Sequence, residues 1–345
     1  MKRFVSVLLL LCLLLTSCTL VPETEHQVPD NSEGLTVHFI DVGQADSALL
    51  LCDGEAMLID GGNVEDAELV VSYLRQQGVT ELKYVVGTHA HEDHIGGLAG
   101  VLAVFEADTV WCPVDEYDSK CFADFAYYAD TLVCPEPGET CALGGAEITV
   151  LGPVELYDDT NDTSIVLRVD YGATGFLFTG DAETEAEKDI LDAGYDVFAT
   201  VLKVGHHGSN TSSSYQWLRA VAADYAVISC GVDNDYGHPH KEPLSRLRDA
   251  EATIYRTDLQ GHIVCTSDGK TVSFTTQKGA AVTNSTEYDG SGQNAQGTHY
   301  IGNKNTKKFH LPTCTGLPAE HNQVTFDSYD QAEEAGYTPC GTCIG

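Results

Sequence analysis

A chain of 345 residues with 52 Asp and Glu against 18 Lys and Arg carries a formal net charge of −34. The length allows two domains, or one large domain with an appendage, and 43% hydrophobic residues with 8% aromatics is an ordinary globular composition. So acidic a surface repels nucleic acid, anionic lipid and other polyanions at long range, which excludes a general DNA-coating role; an anionic substrate must be drawn by local positive charge such as bound metal.

The chain opens with Lys2 and Arg3 before an apolar run, residues 4–15, too short to span a bilayer comfortably as a helix. Leu15-Thr16-Ser17-Cys18 closes the run and resembles a bacterial lipobox, in which the Cys is acylated and becomes the first residue; an ordinary secretory signal with an incidental Cys is the alternative. This predicts a signal peptide over 1–17, lipidation at Cys18 and a polar tether over 18–34 carrying Pro22 and Pro29. The mature protein is then expected outside the cell, lipid-anchored to the outer face of a bacterial membrane, with no transmembrane domain.

From residue 35 to 277 the text is rich in strands: 36–43, 47–52, 56–60, 84–88, 108–112, 146–152, 164–172, 175–181, 200–205, 225–230 and 271–276. Helical periodicity marks 65–78 and 242–250. Strands mixed with a few helices predict sheets packed on one another with helices outside. Residues 278–298 are polar and rich in Gly, Asn and Ser, which predicts a linker, and 299–345 begin a separate compact unit. Of twelve cysteines, Cys12 leaves with the signal, and Cys314, Cys340 and Cys343 have metal-site spacing. Besides Cys18, the remainder are Cys52, Cys112, Cys121, Cys134, Cys141, Cys230 and Cys265, an odd set that leaves at least one unpaired within the chain. Cys112, Cys121, Cys134 and Cys141 lie close enough in sequence for local bridges in an oxidising location.

The decisive string is Thr88-His89-Ala90-His91-Glu92-Asp93-His94, between the apolar strand 84–87 and Gly96-Gly97. Three imidazoles and a carboxylate where a strand turns can converge on two adjacent cations from one loop. His-x-His-x-Asp-His is the signature of the metallo-β-lactamase superfamily. With HFIDVGQADSALL, MLIDGG, NDTSIVLRVDYG, FLFTGD, VLKVGHHGS and YGHPH in order, the sequence resembles the extracellular hydrolase domain of ComEC-type competence proteins.

The resemblance implies an α/β fold, a four-layer αββα sandwich, and a centre holding two divalent cations, zinc or manganese. His89 and His91 would hold the first, Asp93 and His94 the second, and Asp181 of Thr179-Gly180-Asp181 would bridge them. His238 of Gly237-His238-Pro239 would complete the second site. Cations about 3.5–4 Å apart can share a hydroxide and aim it at an electrophile. One departure is plain: no histidine lies between His94 and Asp181, so the usual third imidazole of the first site is missing. Asn161, Asp162 or Ser164 stands near that place, and His206 could finish the site instead.

His206-His207-Gly208-Ser209, just after strand 200–205, suits a phosphate-handling turn, with imidazoles that donate to phosphoryl oxygens or protonate a leaving oxygen. Asp93, His206 and His207 are accordingly the expected catalytic residues, and Asn161, Ser164 and Ser209 the expected substrate contacts. Lys203 either adds positive charge or is salt-bridged. Asp41, Asp46 and Asp60 read as groups that orient ligands.

The last 47 residues by this division carry His310-x3-Cys314 and Cys340-x2-Cys343, two ligand pairs in a fragment too small for a good core, which is the pattern of a structural zinc. Disulfide pairing is the alternative. Phe309-x4-Cys314 and Ala335-Gly336-Tyr337-x-Pro339-Cys340-x2-Cys343 resemble the zinc domain of the Ada DNA-repair protein. His310 stands where Ada has the Cys that accepts a methyl group, so methyl transfer is not expected. Lys304, Lys307 and Lys308 either touch a nucleic-acid backbone or form a solvated face.

Together these readings predict an extracytoplasmic metal-dependent hydrolase, foremost a phosphodiesterase or nuclease that attacks DNA with a metal-bound hydroxide. The alternatives are hydrolysis of a non-nucleic ester, lactone or small phosphodiester, and a binding protein with a relic site. Transport is not expected, because DNA uptake of that type needs a polytopic membrane domain.

Overall fold

The structure, a computed structural model, describes residues 34–279, 300–312, 314, 317–326, 329–340 and 344. The signal segment with Cys18, nearly all of the 278–298 linker and Cys343 lie outside the described residues. The first half runs β1 (Leu35–Phe39), β2 (Ala48–Cys52), β3 (Glu55–Ile59), α1 (Ala67–Gln76), β4 (Leu82–Val86), α2 (Glu92–Ile95), α3 (Leu98–Leu102), β5 (Ala107–Trp111), α4 (Lys120–Ala129) and β6 (Leu132–Val133). The second runs β7 (Thr140–Leu143), β8 (Ala146–Gly152), β9 (Val166–Tyr171), β10 (Thr174–Phe178), α5 (Thr184–Asp192), β11 (Val201–Lys203), α6 (Tyr215–Val221), β12 (Tyr225–Ile228), α7 (Lys241–Asp249), β13 (Thr253–Arg256) and α8 (Thr257–Gln260). Then β14 (Ile263–Ser267) and β15 (Val272–Thr276) return to the first half.

One sheet has the order β15-β14-β1-β2-β3-β4-β5-β6 and the other β13-β12-β11-β10-β9-β8-β7. Strand alternation decides what lies between them. In β1, Leu35, Val37 and Phe39 point into the space between the sheets, where they meet Ile148, Leu167 and Phe176. Phe39 stacks on Phe178 of the other sheet with ring centroids 6.1 Å apart. The other face of the first sheet, with Leu49, Leu51 and Leu58, packs on α1, α3 and α4 through Val70, Leu74, Leu98 and Phe125. The second sheet does the same with α5, α6 and α7 through Leu177, Leu202, Ile190, Trp217 and Leu247. Strands buried on both faces, such as ALLLC and TGFLF, are therefore continuous apolar runs rather than alternating ones. The result is the expected four-layer αββα arrangement. Burying a side chain such as Leu50 contributes about 1.5–3 kcal/mol.

Among the described residues no helix is long and apolar enough to cross a membrane. Cys52, Cys112, Cys121, Cys134, Cys141, Cys230 and Cys265 are thiols. Cys112 and Cys134 directly follow the paired strands β5 and β6, and Cys112 N–H donates to Val133 O at 3.0 Å.

The C-terminal unit contributes β16 (Tyr300–Asn303), β17 (Lys308–His310), β18 (Gln323–Phe326), α9 (Tyr329–Glu334) and β19 (Thr338–Pro339), with sheet order β18-β16-β17-β19. Its small core of Tyr300, Phe309, Phe326, Tyr329 and Tyr337 also takes in Tyr215 of α6. Tyr215 stacks on Tyr329 at 4.3 Å, and both Tyr215 and Tyr300 donate their hydroxyls to Asp249 at the end of α7.

Candidate metal centre

The C-terminal ends of β4, β10, β11 and β12 open toward one edge of the sandwich, and the loops that leave them carry the polar residues of interest. The loop after β4 holds Thr88 to His94, that after β10 holds Asp181, that after β11 holds His206 and His207, and that after β12 holds Tyr236 and His238. Donor atoms of Asp93, His94, Asp181 and His207 all lie within 4.8 Å of one another. The resemblance implies His238 for the fourth place in this group; the structure puts His207 there. His207 Nε2 is 3.2 Å from Asp93 Oδ2 and 3.6 Å from Asp181 Oδ2.

Backbone conformation explains that choice. His206 and His207 both have left-handed backbone, with φ 48° and 53°, which costs about 1–3 kcal/mol per non-glycine residue. The tight turn projects both rings inward: His206 Nε2 reaches within 3.6 Å of Asp181 Oδ2, and His207 Nδ1 donates to Ser229 O at 3.1 Å. Spacing along the chain carries no trace of this, since it depends on φ at two adjacent residues. His238 stands further out on the same wall, its ring 5.6 Å from His206 and 6.2 Å from His207, with Gln44 Nε2 3.3 Å from its Nδ1.

The first pair of histidines is equally well placed. His89 is fully buried and its Nε2 lies 3.0 Å from His91 Nδ1. Ser164 Oγ is 3.4 Å from His89 Nδ1 and accepts the Asp181 backbone N–H at 3.0 Å. That approach requires Gly180, whose φ is +51° and where a Cβ would lie 2.8 Å from Ser164 Oγ. Gly97 has a similar role behind the loop, since a Cβ there would lie 2.1 Å from Gly61 O.

Asp60 fixes His94. Its carboxylate accepts the Thr88 N–H and the Thr88 hydroxyl, each at 2.8 Å, and lies 2.8 Å from His94 Nδ1. With Nδ1 so engaged, Nε2 is the nitrogen directed at Asp181, 3.2 Å from Oδ1. Asp46 lies behind His207, with Oδ1 3.7 Å from Nδ1, and its other oxygen accepts from the buried Lys203 at 2.7 Å. Lys203 is therefore a salt-bridged frame residue, and Asp46 and Asp60 brace the site as expected. Asp41 is removed from it, accepting from Gly43 N–H at 3.3 Å and lying near Lys278.

The charges of the site suit cations. Burial works against ionisation of Asp181, but His94, His207 and His206 outweigh it and hold the carboxyl well below its ordinary range. Asp93 is likewise held low, burial being outweighed by the His207 hydrogen bond and His94. Burial opposes protonation of His94, yet Asp181 and Asp60 raise its pKa well above that of a free imidazole. Burial, reinforced by the neighbouring imidazoles of His207, His240 and His206, pushes His238 down to about 4, so its ring is neutral at neutral pH. His94 Nε2 and Asp181 Oδ1 lie 3.2 Å apart without hydrogen-bond alignment, and neither has another partner. Orphaned buried ligand atoms on a carboxylate and an imidazole are what a divalent cation satisfies, so the residues fit the implied metal.

A cavity of about 340 Å³ lies over this centre, lined by Gln44, His91, Glu92, Asn161, Tyr236 and His238 together with the ligand candidates Asp93, Asp181, His206 and His207. Asn161 Oδ1 is buried without a partner, while its amide donates to Glu183. Ser164 and Ser209, expected as substrate contacts, are instead turned into the frame. Ser164 holds Asp181, and Ser209 Oγ pairs with Thr211 Oγ1 at 2.9 Å. Two residues carry roles the sequence pattern did not isolate. Glu183 lies 3.1 Å from His206 Nδ1, and Gln44 joins His238 to the Gly231 N–H. Their only signal was adjacency to the motifs, Glu183 two residues after Asp181 and Gln44 two before Asp46.

In the C-terminal unit His310, Cys314 and Cys340 bring ligand atoms within 4.8 Å of one another, with His310 Nδ1 3.4 Å from Cys314 Sγ. Cys343, the expected fourth ligand, lies outside the described residues.

A sandwich of this kind with a metal-ligand cluster at its edge defines a metallo-β-lactamase-fold hydrolase, and comparison with known proteins agrees. Residues 40–232 match the metallo-beta-lactamase superfamily, to which the chain belongs, and residues 286–344 match the metal binding domain of Ada. More particularly, the chain is 34% identical over 237 residues to Competence protein ComA of Neisseria gonorrhoeae, covering 68% of this chain and 32% of that protein. It is 28% identical over 257 residues to ComE operon protein 3 of Bacillus subtilis, covering 68% and 33%. It is 28% identical over 240 residues to Recombination protein 2 of Haemophilus influenzae, covering 66% and 28%. The chain thus spans about a third of the length of these relatives.

Proposed function

We propose that the protein is an extracytoplasmic, metal-dependent phosphodiesterase that cleaves DNA or another phosphodiester strand. The observation that carries this reading is the convergence of Asp93, His94, Asp181 and His207, with His89 and His91 beside them, beneath an open cavity. Relatives named for competence and recombination support nucleic acid as the substrate. Asp93, His94 and His207 would hold one cation and His89 and His91 another, with Asp181 shared and Asn161 completing the second set. Bound divalent cations there would supply Lewis acidity toward a phosphoryl oxygen and lower the pKa of water.

The protein's own groups do the rest. Asp60 and the Ser229 carbonyl keep His94 and His207 in the required orientation. Glu183 engages His206 Nδ1 at 3.1 Å, which turns Nε2 toward the cavity and raises the imidazole pKa against the effect of burial. His206 can therefore carry a proton at Nε2 to a departing oxygen. His310, Cys314, Cys340 and Cys343 would hold one structural zinc, and acylation at Cys18 would anchor the chain on the outer face of the membrane.

One observation favours a second reading. The cavity lining has no Lys or Arg and includes Glu92, so a non-nucleic ester, lactone or small phosphodiester meets less repulsion there than a polyanion does. The test is metal analysis of the signal-free protein followed by assays with manganese or zinc on single-stranded DNA, duplex DNA, small phosphodiesters and lactones, with Asp181→Asn as control. Cleavage of DNA by the wild type and not the variant is expected. Turnover of lactones alone overturns the phosphodiesterase reading.

A further inference from the structure

The floor of the cavity is polar and buried, but an exposed tyrosine lines it and a second stands against one of its lining histidines. Tyr236, in the connection from β12 to α7, is 69% exposed although its ring is stacked on His238 at 5.6 Å and 21°. One face of the ring is backed by the wall of the site, so most of its exposed area is the face turned to solvent. Tyr236 also lines the cavity with Asp93, Asp181 and His207. On the side of the other sheet, Tyr117 in the connection from β5 to α4 is 36% exposed and sits edge-on to His91 at 6.4 Å, braced by Phe122 at 6.1 Å. The two rings therefore stand beside the two histidines that flank the metal centre, one contributed from each half of the sandwich.

Exposed single rings are ordinary on a protein surface, but these two are set apart by their place, each packed against a histidine that lines the cavity. Basic side chains in the lining cannot hold a strand, because Lys and Arg are absent from it and the nearby Lys203 is bound to Asp46. Bound cations would draw the scissile phosphate, but the bases on either side of it need an attraction of their own, which this acidic lining does not supply through charge. Stacking of bases on tyrosine faces supplies one, and it is open only to unpaired bases, because duplex bases already stack on each other.

We propose that Tyr236 and Tyr117 form a two-sided stacking platform for the bases flanking the cleaved phosphodiester, which makes single-stranded nucleic acid the substrate class. This rests on the phosphodiesterase reading above. The platform positions the strand with one base on each side of the metal centre, and it leaves the phosphate between them over the Asp181 floor.

The experiment compares KM for a short oligothymidylate, the same oligomer in duplex form, and an abasic tetrahydrofuran oligomer of equal length, all with manganese present. For the wild type, KM for oligothymidylate should be about tenfold or more below that for the abasic strand, and the duplex should be the poorest substrate. In Tyr236→Ala and Tyr117→Ala the ratio of the two single-strand KM values should collapse toward one. Tyr236→Phe should restore it, because stacking needs the ring and not the hydroxyl. Equal KM values for the base-bearing and abasic strands in the wild type, or a ratio that survives both alanine variants, overturns the platform alone. Cleavage of none of these oligomers overturns the phosphodiesterase reading and the platform with it.

Discussion

Replacing Asp60 by Asn tests how the metal centre is aimed. The carboxylate is 2% exposed and faces three partners at 2.8 Å, the Thr88 N–H, the Thr88 hydroxyl and His94 Nδ1. An amide in its place can keep one acceptor oxygen, which the Thr88 N–H claims, and its NH2 group then faces His94 Nδ1. That contact favours the tautomer with the proton on Nε2, the nitrogen 3.2 Å from Asp181 Oδ1, and a protonated Nε2 cannot bind metal. Losing such an orienting partner typically lowers metal affinity 10- to 100-fold, about 1.4–2.7 kcal/mol. Removing a buried charge returns some desolvation energy, so the metal-free fold should change by less than the charge-assisted bond itself, about 1.5–3 kcal/mol. Affinity is measured by competition with a calibrated chelator, and stability by thermal unfolding in EDTA. Thr88→Val is the control, because it removes one bond to Asp60 and leaves the Asp60–His94 contact intact. An Asp60→Asn protein with wild-type metal affinity, or a Thr88→Val protein with an equal loss, refutes the argument.

Other perturbations follow from the same geometry. Asp181→Ala should abolish binding of at least one cation per hydrolase domain and lower activity by about 100-fold or more, read by metal analysis and turnover. Gly97→Ala drives a Cβ to 2.1 Å from Gly61 O, and should cost about 3 kcal/mol and lower the unfolding midpoint by several degrees. Glu187 is buried and accepts the Ser213 and Ser214 N–H groups, and burial raises its pKa to about 7. Because the folded value lies above the unfolded one, its stabilising contribution is complete below about pH 4.5 and lost as pH rises through 7. Stability relative to Glu187→Gln should thus fall by up to about 3 kcal/mol between pH 4.5 and 7.5, and a flat difference contradicts the assignment. Cys314→Ser should lower zinc content by one equivalent and expose the C-terminal core to limited proteolysis while leaving the hydrolase cores protected.

What could be read from the sequence was what local patterning encodes. Apolar runs such as 47–52 and 175–181 became strands because burial on both faces leaves no polar alternation. The periodicity over 65–78 and 242–250 became α1 and α7. The structure adds α4 over KCFADFAYYA and β14 over IVCTS. The first has an aromatic and Cys content that weakens a helical signal, and the second is held by pairing with β1, more than two hundred residues away in the chain. At the site, the His89–His94 string carried its own chemistry because its ligands leave a single turn. The identity of the fourth donor beside Asp93, His94 and Asp181 was not legible. His207 gains that place from left-handed backbone and from the Ser229 carbonyl after β12, to which its Nδ1 donates.

The mooring of the C-terminal unit has a mechanical consequence. Tyr215, which receives that unit, starts α6 only a few residues beyond His206 and His207, and the intervening Ser212–Ser214 stretch is clamped by Glu187 and Arg246. Load applied to the small unit through Asp249 and the tyrosine stack is therefore delivered to the same length of backbone that aims the rings of His206 and His207. Loosening the His310, Cys314 and Cys340 cluster should be felt as slackness at the reactive edge, so the unit works as a buttress as well as an appendage.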